Sequence, residues 1–213
     1  MLSLLIENCT ERGIVAFVEN EHCLYFAGLP FGYHNSRFLL PKIDEGFQSI
    51  QKTPQELDLI VAGIGPGSYT GIRVGAIIAK SLSYASKIPL VGISTLKGFI
   101  PDRDGPFLAI LDAKMSGCYV IKGKREEGII TYATEPKALQ LKKIKEEFEG
   151  RGILVGPHCL SLQQKLKKID PDALWCWQET APDPIHMTKL GQEKFHQGKF
   201  STDGSLQILY LQE

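Results

Sequence analysis

Two groups of residues have the type and spacing to do chemistry: a run of glycines between positions 63 and 75, and two carboxylates, Glu7 and Asp112, each at the end of an apolar strand candidate. The run Gly63-Ile64-Gly65-Pro66-Gly67-Ser68-Tyr69-Thr70-Gly71-Ile72-Arg73-Val74-Gly75 joins a strand candidate, Leu57 to Ile64, to a helix candidate from Thr70 to about Lys87. A strand-to-helix turn of this kind presents backbone N–H groups and the positive end of a helix dipole, the usual cradle for a phosphate. Gly65 and Gly67 mark close backbone approach or positive φ, and Ser68 or Thr70 can accept the first unpaired N–H groups of the helix. A P-loop, however, carries a lysine directly after its closing glycine, and here Gly71 is followed by Ile72 and Arg73; the dinucleotide fingerprint does not fit either. The alternative is a tight turn that lets the helix pack closely on a sheet.

Other reactive groups are sparse. The five histidines never fall four apart, so no helix carries a His-x-x-x-His metal pair, and His34 reads as part of the turn before the first long helix. Ser68 lacks the Gly-x-Ser-x-Gly elbow of a serine hydrolase. The five cysteines are scattered, with no Cys-x-x-Cys pair, which argues against a disulfide framework and a zinc ribbon and favours a reducing cytoplasm. Cys176, between Trp175 and Trp177, is expected in an apolar cluster. No apolar stretch is long enough to cross a bilayer, and no basic segment precedes the short apolar start, so a soluble, non-exported protein is expected.

The elements that must position these residues alternate between strand and helix. Strands are expected at about Leu2 to Ile6, Gly13 to Val18 and His22 to Ala27, then a helix from Ser36 to about Gln51, the Leu57 strand, the helix after the glycines, a strand from Ile88 to Ile93 and a short helix at Ser94-Thr95. This βββαβαβα order predicts one α/β domain over 1–100, with a proline-bracketed break at Pro101 to Pro106. Strands at Phe107 to Leu111, Cys118 to Lys122 and Ile129 to Thr131 restart the pattern, followed by one at Ile153 to Val155. The second domain, 101–213, is thus an abbreviated repeat ending in a helix from roughly Ile185 to Gln197 that would return toward the first. At 213 residues and 43% hydrophobic content, the chain can bury such cores unaided.

The net charge of +0 gives no overall field for a polyanion. Between Lys137 and Lys168, eight basic residues face three acids, a local excess able to touch RNA backbone. Leu139, Leu141, Ile144, Phe148, Leu162 and Leu166 recur there at helical spacing, which also fits two solvated helix faces. In the helix after the glycines, Gly71, Gly75 and Ala79 form a row nearly bare of side chains. It suits an internal contact or a subunit interface, and the residues alone favour the internal one.

Gly65 to Gly75, together with Ile88-Pro89-Leu90-Val91-Gly92-Ile93-Ser94-Thr95-Leu96, resembles the signature of the TsaB (YeaZ) family. His34-Asn35-Ser36-Arg37-Phe38-Leu39-Leu40-Pro41 resembles its His-Ser-x-x-Leu-Leu-Pro helix start, Leu111-Asp112-Ala113-Lys114 its Asp-Ala-Arg, and Leu209-Tyr210-Leu211 its terminal Tyr-Leu-Arg, with Gln212 where the family has arginine. The likeness runs nearly end to end and is dense from Leu57 to Thr95.

The resemblance implies an actin-like (ASKHA) ATPase fold of two units. It also implies a non-catalytic cytoplasmic subunit that binds and supports TsaD in forming threonylcarbamoyladenosine beside the anticodon of tRNA, with the TsaE ATPase as a further partner and only weak or indirect contact with tRNA. The implied interface lies on the first two long helices: Leu39, Leu40, Ile43, Phe47 and Ile50 on one, Gly71, Ile72, Gly75 and Ala79 on the other. A homodimer could use the same surface, and Gly75→Leu is expected to abolish pairing without harming the fold. No cofactor or metal is required. A vestigial ATP/Mg site would comprise Glu7, Gly65, Gly67, Ser68 and Asp112, with Glu7 standing where the family has aspartate. The alternative is a small actin-like ATPase or kinase acting on its own substrate.

Overall fold

The structure is a computed structural model that describes residues 1–32, 35–114, 117–148, 151–158 and 160–211. The chain folds as two compact units, Met1–Gly98 with Pro182–Leu209, and Phe99–Ala181 with Tyr210–Glu213. The first unit opens with β1 (Leu2–Glu7), β2 (Ile14–Glu19) and β3 (His22–Gly28), followed by a 3-10 turn at Asn35–Phe38 and α1 (Leu39–Ile50). It continues with β4 (Leu59–Gly63), α2 (Tyr69–Ser86), β5 (Leu90–Ile93) and a 3-10 turn at Thr95–Gly98. Its sheet has the order β3-β2-β1-β4-β5; the first three strands are antiparallel, whereas β4 runs parallel to both β1 and β5.

The second unit contains β6 (Gly105–Asp112), β7 (Gly117–Glu126), β8 (Ile129–Tyr132), β9 (Lys137–Gln140), α3 (Ile144–Glu147), β10 (Arg151–Gly156), α4 (Leu160–Ile169) and β11 (Leu174–Glu179). Its sheet order is β11-β10-β6-β7-β8, and β9 pairs with the opposite end of the long β7. The chain then forms α5 (Pro184–His196), which packs on the sheet of the first unit. The segment 182–209, assigned from sequence to the second domain, therefore belongs with the first, and the division falls at Gly98 and not in the Pro101 break.

Burial explains why β1 carries a nearly continuous apolar run. All six of its residues are buried, Leu4 and Ile6 beneath α1 and α2, Leu5 in the cluster that holds Met187 of α5. A strand covered on both faces has no polar side to alternate with. Phe17 of β2 meets Phe47 of α1 edge-to-face at 4.8 Å, and burying a side chain of that size stabilises the fold by roughly 1.5–3 kcal/mol.

Two strands differ from the sequence expectation. Lys137–Gln140 forms β9 and not the start of a helix, with only Leu139 of its four residues buried. Leu174–Glu179 forms an edge strand on β10, and Cys176 is exposed on it, outside the apolar cluster that Trp175 and Trp177 join. Both segments are shorter than the window in which periodicity separates strand from helix.

Candidate functional site: the glycine turn and the two long helices

The glycine turn is pressed against the first turn of the chain. Ser68 caps α2 by accepting the Gly71 N–H on its hydroxyl at 3.3 Å, while its own N–H donates to the Cys9 carbonyl at 2.6 Å. A Cβ on Gly67 would lie 2.0 Å from the Cys9 oxygen, and one on Gly71 would lie 2.1 Å from the Asn8 oxygen. Only glycine permits backbone to approach backbone so closely. Gly65, at φ +97°, uses its carbonyl to accept the Thr95 N–H at 2.9 Å and the Ser94 hydroxyl at 3.1 Å. The glycines thus let the turn pack against the chain's own backbone at Asn8 and Cys9.

Glu7, named with the vestigial ATP/Mg site, is an interior carboxylate. It is fully buried, its Oε1 accepts the Cys9 N–H at 2.6 Å, and its Oε2 accepts the Thr95 hydroxyl at 2.9 Å. Burial pushes its carboxyl above the ordinary range, opposed by hydrogen bonds from the Cys9 N–H, the Cys9 thiol and Thr95. Burial, and then Glu7 beside it, pushes the Cys9 thiol well up, away from the thiolate. Asp112 is a turn cap: it accepts the Lys114 N–H at 2.9 Å, with the Ser161 hydroxyl at 3.4 Å and Lys165 Nζ at 3.9 Å. Among the described residues no group of three His, Cys, Asp or Glu side chains is placed to hold a metal ion.

Sequence reasoning missed Thr95, Ser94 and Asn8. The Asn8 amide donates to Ser36 Oγ at 2.9 Å and to the Gly71 carbonyl at 3.2 Å, linking the approach to α1 with the start of α2. Nothing in the spacing announces a bond between Glu7 and Thr95, 88 residues apart, because it depends on the order β1-β4-β5. His34, Cys159 and Gln212 lie outside the described residues.

The interface residues divide sharply. Leu39, Ile43 and Phe47 of α1 are buried against their own sheet, and Ile50 is partly buried there. Gly71, Ile72, Gly75 and Ala79 of α2 are buried as well, with Gly75 above Asn8 and Ile6. The bare row is the line along which the helix comes closest to its sheet, so it is an internal contact. A leucine at position 75 would enter the core instead of blocking a partner.

Of the nine expected positions, Leu40 alone is exposed, at 58%. The outward stripe of α2 is Tyr69, Arg73, Ile77 and Tyr84, at 58% exposure for Tyr69, 62% for Ile77 and 61% for Tyr84. The Arg73 guanidinium stacks on the Tyr69 ring at 3.7 Å and the Lys87 ammonium lies over Tyr84 at 4.4 Å.

The sequence model of the family described as "TsaD: tRNA N6-adenosine threonylcarbamoyltransferase" matches residues 33–150. YeaZ from Pseudomonas aeruginosa superposes with a TM-score of 0.82 over 99% of both chains at 17% identity, which shows the fold. The molecule is accordingly an actin-like α/β protein of two units. "tRNA threonylcarbamoyladenosine biosynthesis protein TsaB" of Bacillus subtilis is 30% identical over 168 residues, 73% of this chain and 71% of that protein. Its counterpart in Escherichia coli is 29% identical over 132 residues, 58% of this chain and 57% of that one. A tRNA N6-adenosine threonylcarbamoyltransferase of Legionella pneumophila is 36% identical over 81 residues, 35% of this chain and 24% of that enzyme. The chain belongs to the TsaB (YeaZ) family.

Proposed function

We propose that this chain takes part in forming threonylcarbamoyladenosine in tRNA as a non-catalytic cytoplasmic subunit that docks on TsaD through the outward faces of α1 and α2. The observation that carries this reading is the exposed stripe of Tyr69, Ile77 and Tyr84 on α2, with Leu40 on α1. Three large apolar side chains on one face of an otherwise well-packed helix are a surface to be covered. The match to the TsaD family over residues 33–150 spans both helices, which supports pairing of like with like. Such pairing would bring two helices from each protein into a four-helix contact, and a homodimer through the same face would compete with it. The TsaE ATPase joins as a further partner. The non-catalytic role is supported by Glu7, whose two oxygens are engaged inside the protein. Docking would then act by favouring an active arrangement of TsaD, a population shift without a chemical step here.

The test is calorimetry of the chain with TsaD, and tRNA modification assayed with and without the chain. Ile77→Glu, at a 62% exposed position, is expected to change stability by no more than about 0.5 kcal/mol and to weaken TsaD binding at least about tenfold. Unchanged binding by that variant overturns the interface. ATP turnover by the chain alone, without TsaD binding, overturns the function.

A further inference from the structure

The basic segment of the second unit separates into two classes of lysine. Lys137 pairs with Glu147 at 2.7 Å, Lys145 with Asp170 at 3.0 Å, and Lys165 approaches Asp112 at 3.9 Å. These lysines have carboxylate partners within the unit. The side chains of Lys142, Lys143, Lys167 and Lys168 are exposed and have no ion pair or hydrogen bond among the described residues.

Their placement follows from the packing. Lys142 and Lys143 lie in the 3-10 turn Leu141–Lys143, and Lys167 and Lys168 in the last turn of α4, where the helix dipole favours cations. The turn and the helix pack on each other, with Leu141 and Leu166 in one buried cluster, so the two lysine pairs flank a shared core. Among the described residues, Glu146 and Asp172 are the exposed carboxylates nearest in sequence, two against four. An excess of exposed ammonium groups over a packed core suits a polyanion read by charge and not by base identity.

We infer that this lysine surface of the second unit binds the phosphate backbone of tRNA. The inference rests on the reading above only for the choice of RNA. Binding through free lysines releases counterions, so affinity falls steeply with salt, and four contacts give a log–log slope of about −3 to −4.

The test is fluorescence anisotropy of the full chain with a labelled unmodified tRNA between about 50 and 200 mM salt, comparing parent with the variant carrying Lys142→Ala, Lys143→Ala, Lys167→Ala and Lys168→Ala. The variant is expected to bind at least about tenfold more weakly and to lose about three units of the slope, with a melting temperature lowered by no more than about 5 °C, since all four side chains are exposed and only the dipole contacts of Lys167 and Lys168 are lost. A variant that binds as the parent does, or a parent that fails to bind tRNA at the lowest salt, overturns the inference. Coelution with TsaD, run on the same variant, reports separately on the helix interface. Its loss in the Ile77→Glu variant alone leaves the lysine surface standing.

Discussion

The two units end their first strands in a carboxylate, and the two side chains find different partners. In each hairpin the carboxylate is the last paired residue, Glu7 opposite Ile14 and Asp112 opposite Cys118. The parallel neighbours make the difference. Ile6 lies level with Ala62 on β4, which puts Glu7 beside Gly63, the last residue of that strand. Ala109 lies level with Val155 on β10, so Asp112 runs two residues past the place beside Gly156. Glu7 is therefore roofed by its neighbour and buried, whereas Asp112 runs past β10 while still paired with β7 and caps a turn. A carboxylate at the end of a strand is not by its position a ligand; the length of the adjacent strand decides what it becomes.

The sharpest way to break this comparison is to fill the two glycines. A Cβ on Gly63 would lie 1.8 Å from Glu7 Oε2, and one on Gly156 would lie 2.4 Å from the Ile110 carbonyl. Gly63→Ala and Gly156→Ala are each expected to cost about 3 kcal/mol in denaturant unfolding. The two part in a double-mutant cycle: Glu7→Ala should recover much of the Gly63→Ala loss, because the obstacle is a side chain. No side-chain removal should rescue Gly156→Ala, whose obstacle is backbone. Additive losses for Glu7→Ala and Gly63→Ala would show that the two do not meet.

A smaller effect lies in pH. Burial raises the Glu7 carboxyl above its ordinary 4.5, so the folded state holds the proton more tightly than the unfolded one. The stability this contributes is complete below 4.5 and declines as pH rises through the folded value. Unfolding measured in a pH series should show that decline in the parent and a flatter profile in Glu7→Gln. Identical profiles for parent and Glu7→Gln would place the titration elsewhere. The smallest effect expected is that of Asp112→Asn on stability itself, within about 1 kcal/mol, since asparagine can cap the same turn and the Lys165 contact at 3.9 Å is long. A larger loss would give Asp112 a structural weight that its contacts do not explain.

Much of the first unit was legible because its elements are long or doubly buried. β1 announces itself by a continuous apolar run, and α2 by a capped, periodic stretch of 18 residues. β9 and β11 were not, because four residues with one buried, or an alternating edge segment, leave too little pattern. The site was half legible. Glycines dense enough to require close approach could be read from the sequence, but not whether they approach an anion or the turn at Asn8 and Cys9. The same holds in part for α2: a row of small residues at four-residue spacing guarantees a close contact and favours an internal one, without saying which residues it meets.

What the sequence by itself determined was the alternation of strand and helix, the family signature and the need for close backbone approach at Gly67 and Gly71, because these depend on local composition and spacing. Tertiary structure alone decided that Gly75 and Ala79 face inward and Ile77 outward, that Thr95 reaches Glu7 across 88 residues, and that α5 joins the first unit. Periodicity sets which residues share a helix face. Which face meets the sheet is set by the order and register of strands that are distant in the chain, and no local spacing records them.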